Sequence, residues 1–244
     1  MYGVCADIND IEYRPVQLNS DFSLPVEQLL AATDGHTKLL WVCSPNNPTG
    51  NAFPFEQLCE LADRFRGILV VDEAYSEFNT ASRKGKDLLK GRENVVVLHT
   101  LSKAYGLAGA RVGLAFSTPF IVSLMNKVKY PYNVNLLSQT KALETLDSVD
   151  KIRDNIRSIL AERERICNIL PLIDAIEEVY PTDANFILVK VREGRADDLY
   201  AHLKDFHIMV RNRSKTPGCA GTLRITVGTA EENDTLLEAI RNFK

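Results

Sequence analysis

Ile68-Leu69-Val70-Val71-Asp72-Glu73-Ala74-Tyr75 decides the fold: four uninterrupted apolar residues, then two acids and a phenol. Such a run is what a strand buried on both faces carries, so it reads as an inner strand of a parallel sheet. The pattern recurs on either side. Upstream, Leu39-Leu40-Trp41-Val42-Cys43 leads into the turn Asn46-Asn47-Pro48-Thr49-Gly50; downstream, Val95-Val96-Val97-Leu98 leads into Thr100-Leu101-Ser102-Lys103. Asn47 and Asp72 are 25 residues apart, Asp72 and Lys103 31, spacings that suit successive βαβ units of roughly 30 residues. In a parallel sheet the carboxyl ends of the strands form the edge where ligands bind. One cleft would then collect an amide, a carboxylate, a phenol, hydroxyls and a lysine.

Working outward, Pro54 opens a helix with Leu58, Leu61, Ala62 and Phe65 at helical spacing, and Gly67 closes it. An earlier helix over 25–33 stops at Asp34-Gly35, and 111–116 reads as a further strand. The stretch 136–170 reads as helix, with Ile152, Ile156, Ile159, Leu160, Ile166 and Leu170 as an interrupted apolar stripe. Beyond it, 186–189, 208–210 and 223–226 read as strands, with helices near 196–206 and 231–242. The expectation is an α/β protein of two domains. A mostly parallel large domain spans 1–145 and a smaller α+β domain 146–244.

The 244 residues carry 29 basic and 32 acidic side chains, net −3, which argues against nucleic-acid binding through bulk charge. No apolar run approaches the ~18 residues of a membrane helix, and the N-terminus carries no basic-then-apolar leader. Five cysteines without a CxxC pair read as reduced thiols of a cytoplasmic protein. Four histidines show no ligand spacing, so no metal site is expected.

The polar set has a chemical logic. A lysine amine condenses with aldehydes, and a carboxylate holds a pyridinium nitrogen protonated, making the ring an electron sink. Hydroxyls, backbone N–H groups and an arginine suit a phosphate; Ser102-Lys103-Ala104-Tyr105-Gly106-Leu107-Ala108-Gly109-Ala110-Arg111 offers all three. Together they specify pyridoxal 5′-phosphate. Each residue also has a plainer reading: Lys103 as a surface lysine, Asp72-Glu73 as a helix cap, Arg224 on a solvated strand face. Arg211-Asn212-Arg213-Ser214-Lys215 could equally be an exposed basic loop. His99 reads as a packed or satisfied histidine.

The segments 44–50, 72–75 and 102–113 resemble the signature segments of fold-type I pyridoxal-phosphate aminotransferases, class-II subgroup. Within that family the likeness is to histidinol-phosphate aminotransferases, extended by Met209-Val210-Arg211-Asn212-Arg213-Ser214 and Leu223-Arg224-Ile225-Thr226-Val227-Gly228-Thr229. The resemblance implies that Lys103 carries the cofactor and moves the substrate proton, and that Asp72 pairs with the pyridine nitrogen. It implies that Tyr75 and Asn47 bond the 3′-oxygen, and that Thr100, Ser102 and Arg111 hold the cofactor phosphate. Arg224 would clamp a substrate carboxylate and Arg211 the substrate phosphate. The implied partners are a phosphorylated amino substrate and a 2-oxo acid, in a homodimer serving histidine biosynthesis. Nearby alternatives are an aromatic aminotransferase, a threonine-phosphate decarboxylase or a non-catalytic module of this fold. The family pattern also has an N-terminal portion with a Gly-rich phosphate turn, a ring stacked on the pyridine, two strands and a contact across the dimer. None is found here, so the chain is expected to be a fragment whose first strand lacks a neighbour and whose activity is incomplete.

Overall fold

In the computed structural model, which describes residues 2–243, the three apolar runs are neighbouring strands of one sheet. The first unit runs α1 (Tyr2–Ile8), α2 (Val26–Ala31), β1 (Leu39–Cys43), α3 (Phe55–Arg64), β2 (Ile68–Asp72), β3 (Val95–Thr100), β4 (Gly113–Phe116) and α4 (Pro119–Val128). Its strand order is β1-β2-β3-β4, with β1, β2 and β3 parallel and β4 antiparallel to β3. Alternation sends Leu40, Val42, Leu69, Val71, Val95 and Val97 to one side, where α3 packs through Leu58, Leu61 and Ala62. Val70 and Val96 point the other way, onto Ile121 of α4.

Burial on both faces holds for β2 but not for β1. Leu39 and Trp41 are 45% and 37% exposed, and every residue of β4 is exposed. Both are the outer strands of this sheet, and the described helices cover only part of their second face.

Then follow α5 (Leu136–Asp147), α6 (Val149–Ile169), β5 (Ile176–Val179), β6 (Phe186–Val191), α7 (Ala196–Asp205), β7 (Arg211–Asn212), β8 (Thr222–Thr226) and α8 (Ala230–Arg241). The long helical stretch is thus two helices. Ser148 leaves helical geometry (φ −102°, ψ 39°) while its hydroxyl bonds back to Glu144 O at 3.3 Å, the local competition by which serine interrupts a helix. The second sheet, order β5-β6-β8-β7, has antiparallel pairs throughout. Ile187, Val189, Leu223 and Ile225 face a core shared with Ile166, Leu199 and Leu237. The opposite face, carrying Phe186, Leu188 and Arg224, looks towards the first unit. Residues 208–210 are not a strand: pairing begins only at Arg211. The short β5, half acidic and bulged against β6, carried no apolar run to announce it.

Two contacts pin the units together beside β1. Gly50 accepts from Asp183 N–H at 2.8 Å, and Ala52 N–H donates to Asp183 Oδ2 at 2.8 Å. Gly50 adopts φ +87°, and a Cβ there would lie 2.5 Å from Thr182 Oγ1, so the turn requires glycine twice over. No helix among the described residues is long and apolar enough to cross a membrane.

Candidate active site

The polar groups that follow β1, β2 and β3 gather at the carboxyl edge of the first sheet, as parallel strands dictate. Asp72 ends β2, and Ser44 N–H donates to its carbonyl at 3.0 Å, which sets the turn after β1 beside it. Both carboxylate oxygens are held: Ala74 N–H donates to Oδ1 at 3.1 Å and the Tyr2 hydroxyl to Oδ2 at 2.7 Å. Tyr2 rests on Trp41, ring centroids 4.8 Å apart. Burial pushes the Tyr2 phenol far up, with Cys43 and Asp72 adding to the effect, so it stays a donor. The Cys43 thiol is pushed up to about 12, by burial first and by Asp72 second. Glu73 turns inward instead. It is buried, accepts from Gly85 N–H at 2.5 Å and lies 2.9 Å from His99 Nε2. The adjacent acids therefore divide, one packed and one facing the edge.

Tyr75 is buried with its ring edge-on to Phe186 at 5.0 Å. Lys103 Nζ lies 5.4 Å from the centroid of the Tyr75 ring, and the Arg224 guanidinium 4.7 Å from that of Phe186. Arg224 Nη1 donates to Asn47 Oδ1 at 2.7 Å, and the guanidinium also faces the Tyr75 hydroxyl. Burial raises the Tyr75 pKa, while the positive charges of Arg224 and Arg213 pull it back. In the loop after β3, Thr100 Oγ1 accepts from Ser102 N–H at 3.1 Å, and Gly106 N–H donates to Lys103 O at 3.0 Å. Arg111 closes that loop at φ 57°, with Nη1 donating to Ala108 O at 3.0 Å.

Residues 1–240 match the sequence pattern of the family described as Aminotransferase class I and II. The chain belongs to this family. The aminotransferase is 46% identical to a histidinol-phosphate aminotransferase of Parabacteroides distasonis over 244 residues, covering 100% of this chain and 70% of that protein. It is 45% identical to the one of Flavobacterium johnsoniae, covering 99% of this chain and 68% of that protein. Among solved structures, the histidinol-phosphate aminotransferase of Sinorhizobium meliloti in complex with pyridoxal-5′-phosphate superposes with a TM-score of 0.90. It is 26% identical and covers 99% of this chain and 67% of its own.

Asn47, Asp72, Tyr75, Lys103 and Arg224 lie in one neighbourhood of the aminotransferase, where its two sheets meet. Thr100 and Ser102 sit in the loop that bears Lys103. Arg111 is exposed and folded onto its own turn, and Arg211 is exposed opposite Arg224 in the β7–β8 ladder. Sequence reasoning did not find Tyr2, which lies outside the strand-to-loop segments and has no spacing to mark it. Nor did it single out Arg213, although strand alternation from Arg211 would have put both on one face.

Proposed function

We propose that this aminotransferase transfers an amino group between glutamate/2-oxoglutarate and histidinol phosphate/imidazole-acetol phosphate, in histidine biosynthesis, with pyridoxal 5′-phosphate. The observation that carries the reading is the meeting of Lys103, Asp72 and Tyr75 from one sheet with Arg224 from the other. The relatives' shared name supports the substrate.

The residues fit the cofactor. A carboxylate has about four acceptor positions; Asp72 spends one on Tyr2 and one on Ala74, leaving room for a ring N–H. No carboxylate among the described residues pairs with Lys103, whose amine lies over the Tyr75 ring. When bound, pyridoxal phosphate supplies an aldehyde carbon and a protonated ring that draws electrons from the substrate Cα. Lys103 would hold the aldehyde and, once released, take the Cα proton on Nζ as general base. Asp72, oriented by its two donors, would hold the ring proton, and Tyr75 and Asn47 would bond the 3′-oxygen. Thr100, Ser102 and Arg111 would hold the phosphate. Arg224, already oriented by Asn47, would take a substrate carboxylate, and Arg211 the substrate phosphate.

Tyr2→Phe removes one of the two donors on Asp72 without changing the ring that packs on Trp41. Such a bond is worth roughly 0.5–1.5 kcal/mol, so cofactor affinity should fall by a few-fold to about tenfold in a spectrophotometric titration. An unchanged dissociation constant would remove Tyr2 from the site.

The division between the cofactor-binding unit and the C-terminal unit is placed near residue 145, close to the end of α5. A homodimer is supported by the apolar surface along α4, the loop after it and α5, where Phe120, Val128, Tyr132 and Leu137 are 70%, 82%, 95% and 83% exposed. Five unpaired cysteines support a cytoplasmic location.

The deciding assay offers the protein glutamate with imidazole-acetol phosphate, an aromatic amino acid with 2-oxoglutarate, and threonine phosphate alone. Histidinol phosphate formed fastest is the expected outcome. Faster turnover of the aromatic amino acid, or carbon dioxide released from threonine phosphate, would replace the reading with the corresponding enzyme.

A further inference from the structure

The antiparallel ladder between β7 and β8 sets Arg211 opposite Arg224 and Asn212 opposite Leu223. It continues one step further, since Arg213 N–H donates to Thr222 O at 2.9 Å. Side chains alternate across a strand, so Arg211 and Arg213 share the face of Arg224, away from the buried Leu223 and Ile225. Three guanidinium groups therefore crowd one corner of the second sheet, beside Tyr75 and Asn47. None of the three is paired with a carboxylate among the described residues.

The corner also holds orphaned polar atoms. Arg213 Nε, Ser214 Oγ and Arg224 Nε are buried with no hydrogen-bond partner among the described residues. Buried polar groups are nearly always satisfied, and a desolvated cation without a partner is costly. Three such atoms within one corner mark the place of a polar ligand. The loop that presents them is built rather than loose. Ser214 N–H donates to Asn212 Oδ1 at 2.9 Å, Thr216 N–H to Arg213 O at 2.7 Å, and Asn212 Nδ2 to Asp197 Oδ1 at 2.5 Å. Asp197 accepts from Asn212 and forms no ion pair with these arginines. Charge decides what the ligand is. A carboxylate is matched by one guanidinium in a bidentate pair, whereas a phosphate dianion has three acceptor oxygens and close to two charges.

We propose that Arg213, with the Ser214 hydroxyl, is a specificity-determining part of the substrate site: it joins Arg211 in binding a dianionic phosphate and sets the preference for a phosphorylated amine over a dicarboxylate. This rests on the histidinol-phosphate reading given above. Arg224 remains the carboxylate partner, and Arg213 adds the charge that a carboxylate does not need.

The test is calorimetric binding to the pyridoxal-phosphate-loaded protein, with histidinol phosphate, histidinol and glutamate as ligands. Arg213→Gln should weaken histidinol phosphate by about ten- to a hundredfold, the worth of one charge-assisted contact. It should leave glutamate and histidinol within about twofold, with the far-ultraviolet dichroism and the cofactor spectrum unchanged. Arg213→Lys should recover part of the loss. Equal weakening of all three ligands would make Arg213 structural, and no weakening would place it outside the site; either overturns the proposal while the substrate reading stands. If the unsubstituted protein binds histidinol as tightly as histidinol phosphate, the substrate reading fails and this proposal fails with it.

Discussion

Replacing Lys103 with alanine should abolish amino transfer and the visible absorbance that pyridoxal phosphate gains when linked to a lysine. The loss in rate should be at least about 10⁴-fold, the upper range for removing a general acid–base group, with the covalent link lost as well. Among the described residues, Lys103 is the lysine that lies over the Tyr75 ring. Lys84 Nζ donates to Ser76 O at 2.7 Å, and Lys141 pairs with Glu144 at 3.2 Å within α5. Lys103 is exposed and lies over the Tyr75 ring without an ion pair, so its truncation should cost little stability. Addition of the cofactor, reduction with borohydride and peptide mapping locate the modified residue. An unchanged band in the variant, or label on another lysine, would end the assignment of Lys103.

Asp72→Asn should cost about 10²–10³-fold in the rate of proton removal, the usual worth of one preorganised electrostatic partner. The substitution keeps the shape of the side chain. The amide oxygen can still accept from Ala74 N–H, and the Tyr2 hydroxyl can turn from donor to acceptor of the new NH₂. What disappears is the negative charge that would keep a ring nitrogen protonated. Cofactor linkage through Lys103 should persist at saturating cofactor, so the main defect should appear in single-turnover kinetics of the loaded protein. A near-normal single-turnover rate would show that Asp72 serves the fold and not the reaction.

Much of the first sheet was legible because parallel strands carry continuous apolar runs, and β1, β2 and β3 each announced themselves so. Less visible was the antiparallel course of β4, which depends on how the chain turns at Arg111, φ 57°, and not on its own residues. The sequence reading did not mark α1 and α4: α1 buries none of its residues, and α4, although rich in apolar residues, buries only Ile121. Residues 208–210 looked like a strand because they are apolar. Val210 is instead packed into the core of the second unit, and pairing begins at the charged Arg211.

By itself the sequence determined the order of chemistry along the chain: an amide, a carboxylate and a lysine, each just past an apolar run. Successive βαβ units bring such positions to one edge whatever the loops between them do. Only the tertiary structure decided what meets that edge from elsewhere. Tyr2 reaches Asp72 across 70 residues and Arg224 reaches Asn47 across 177, distances over which no spacing rule operates. It also decided between two acids that the sequence presents as equals. Asp72 and Glu73 are adjacent, but strand alternation turns Glu73 into the interior, where Gly85 and His99 meet its two oxygens, and leaves Asp72 facing the edge.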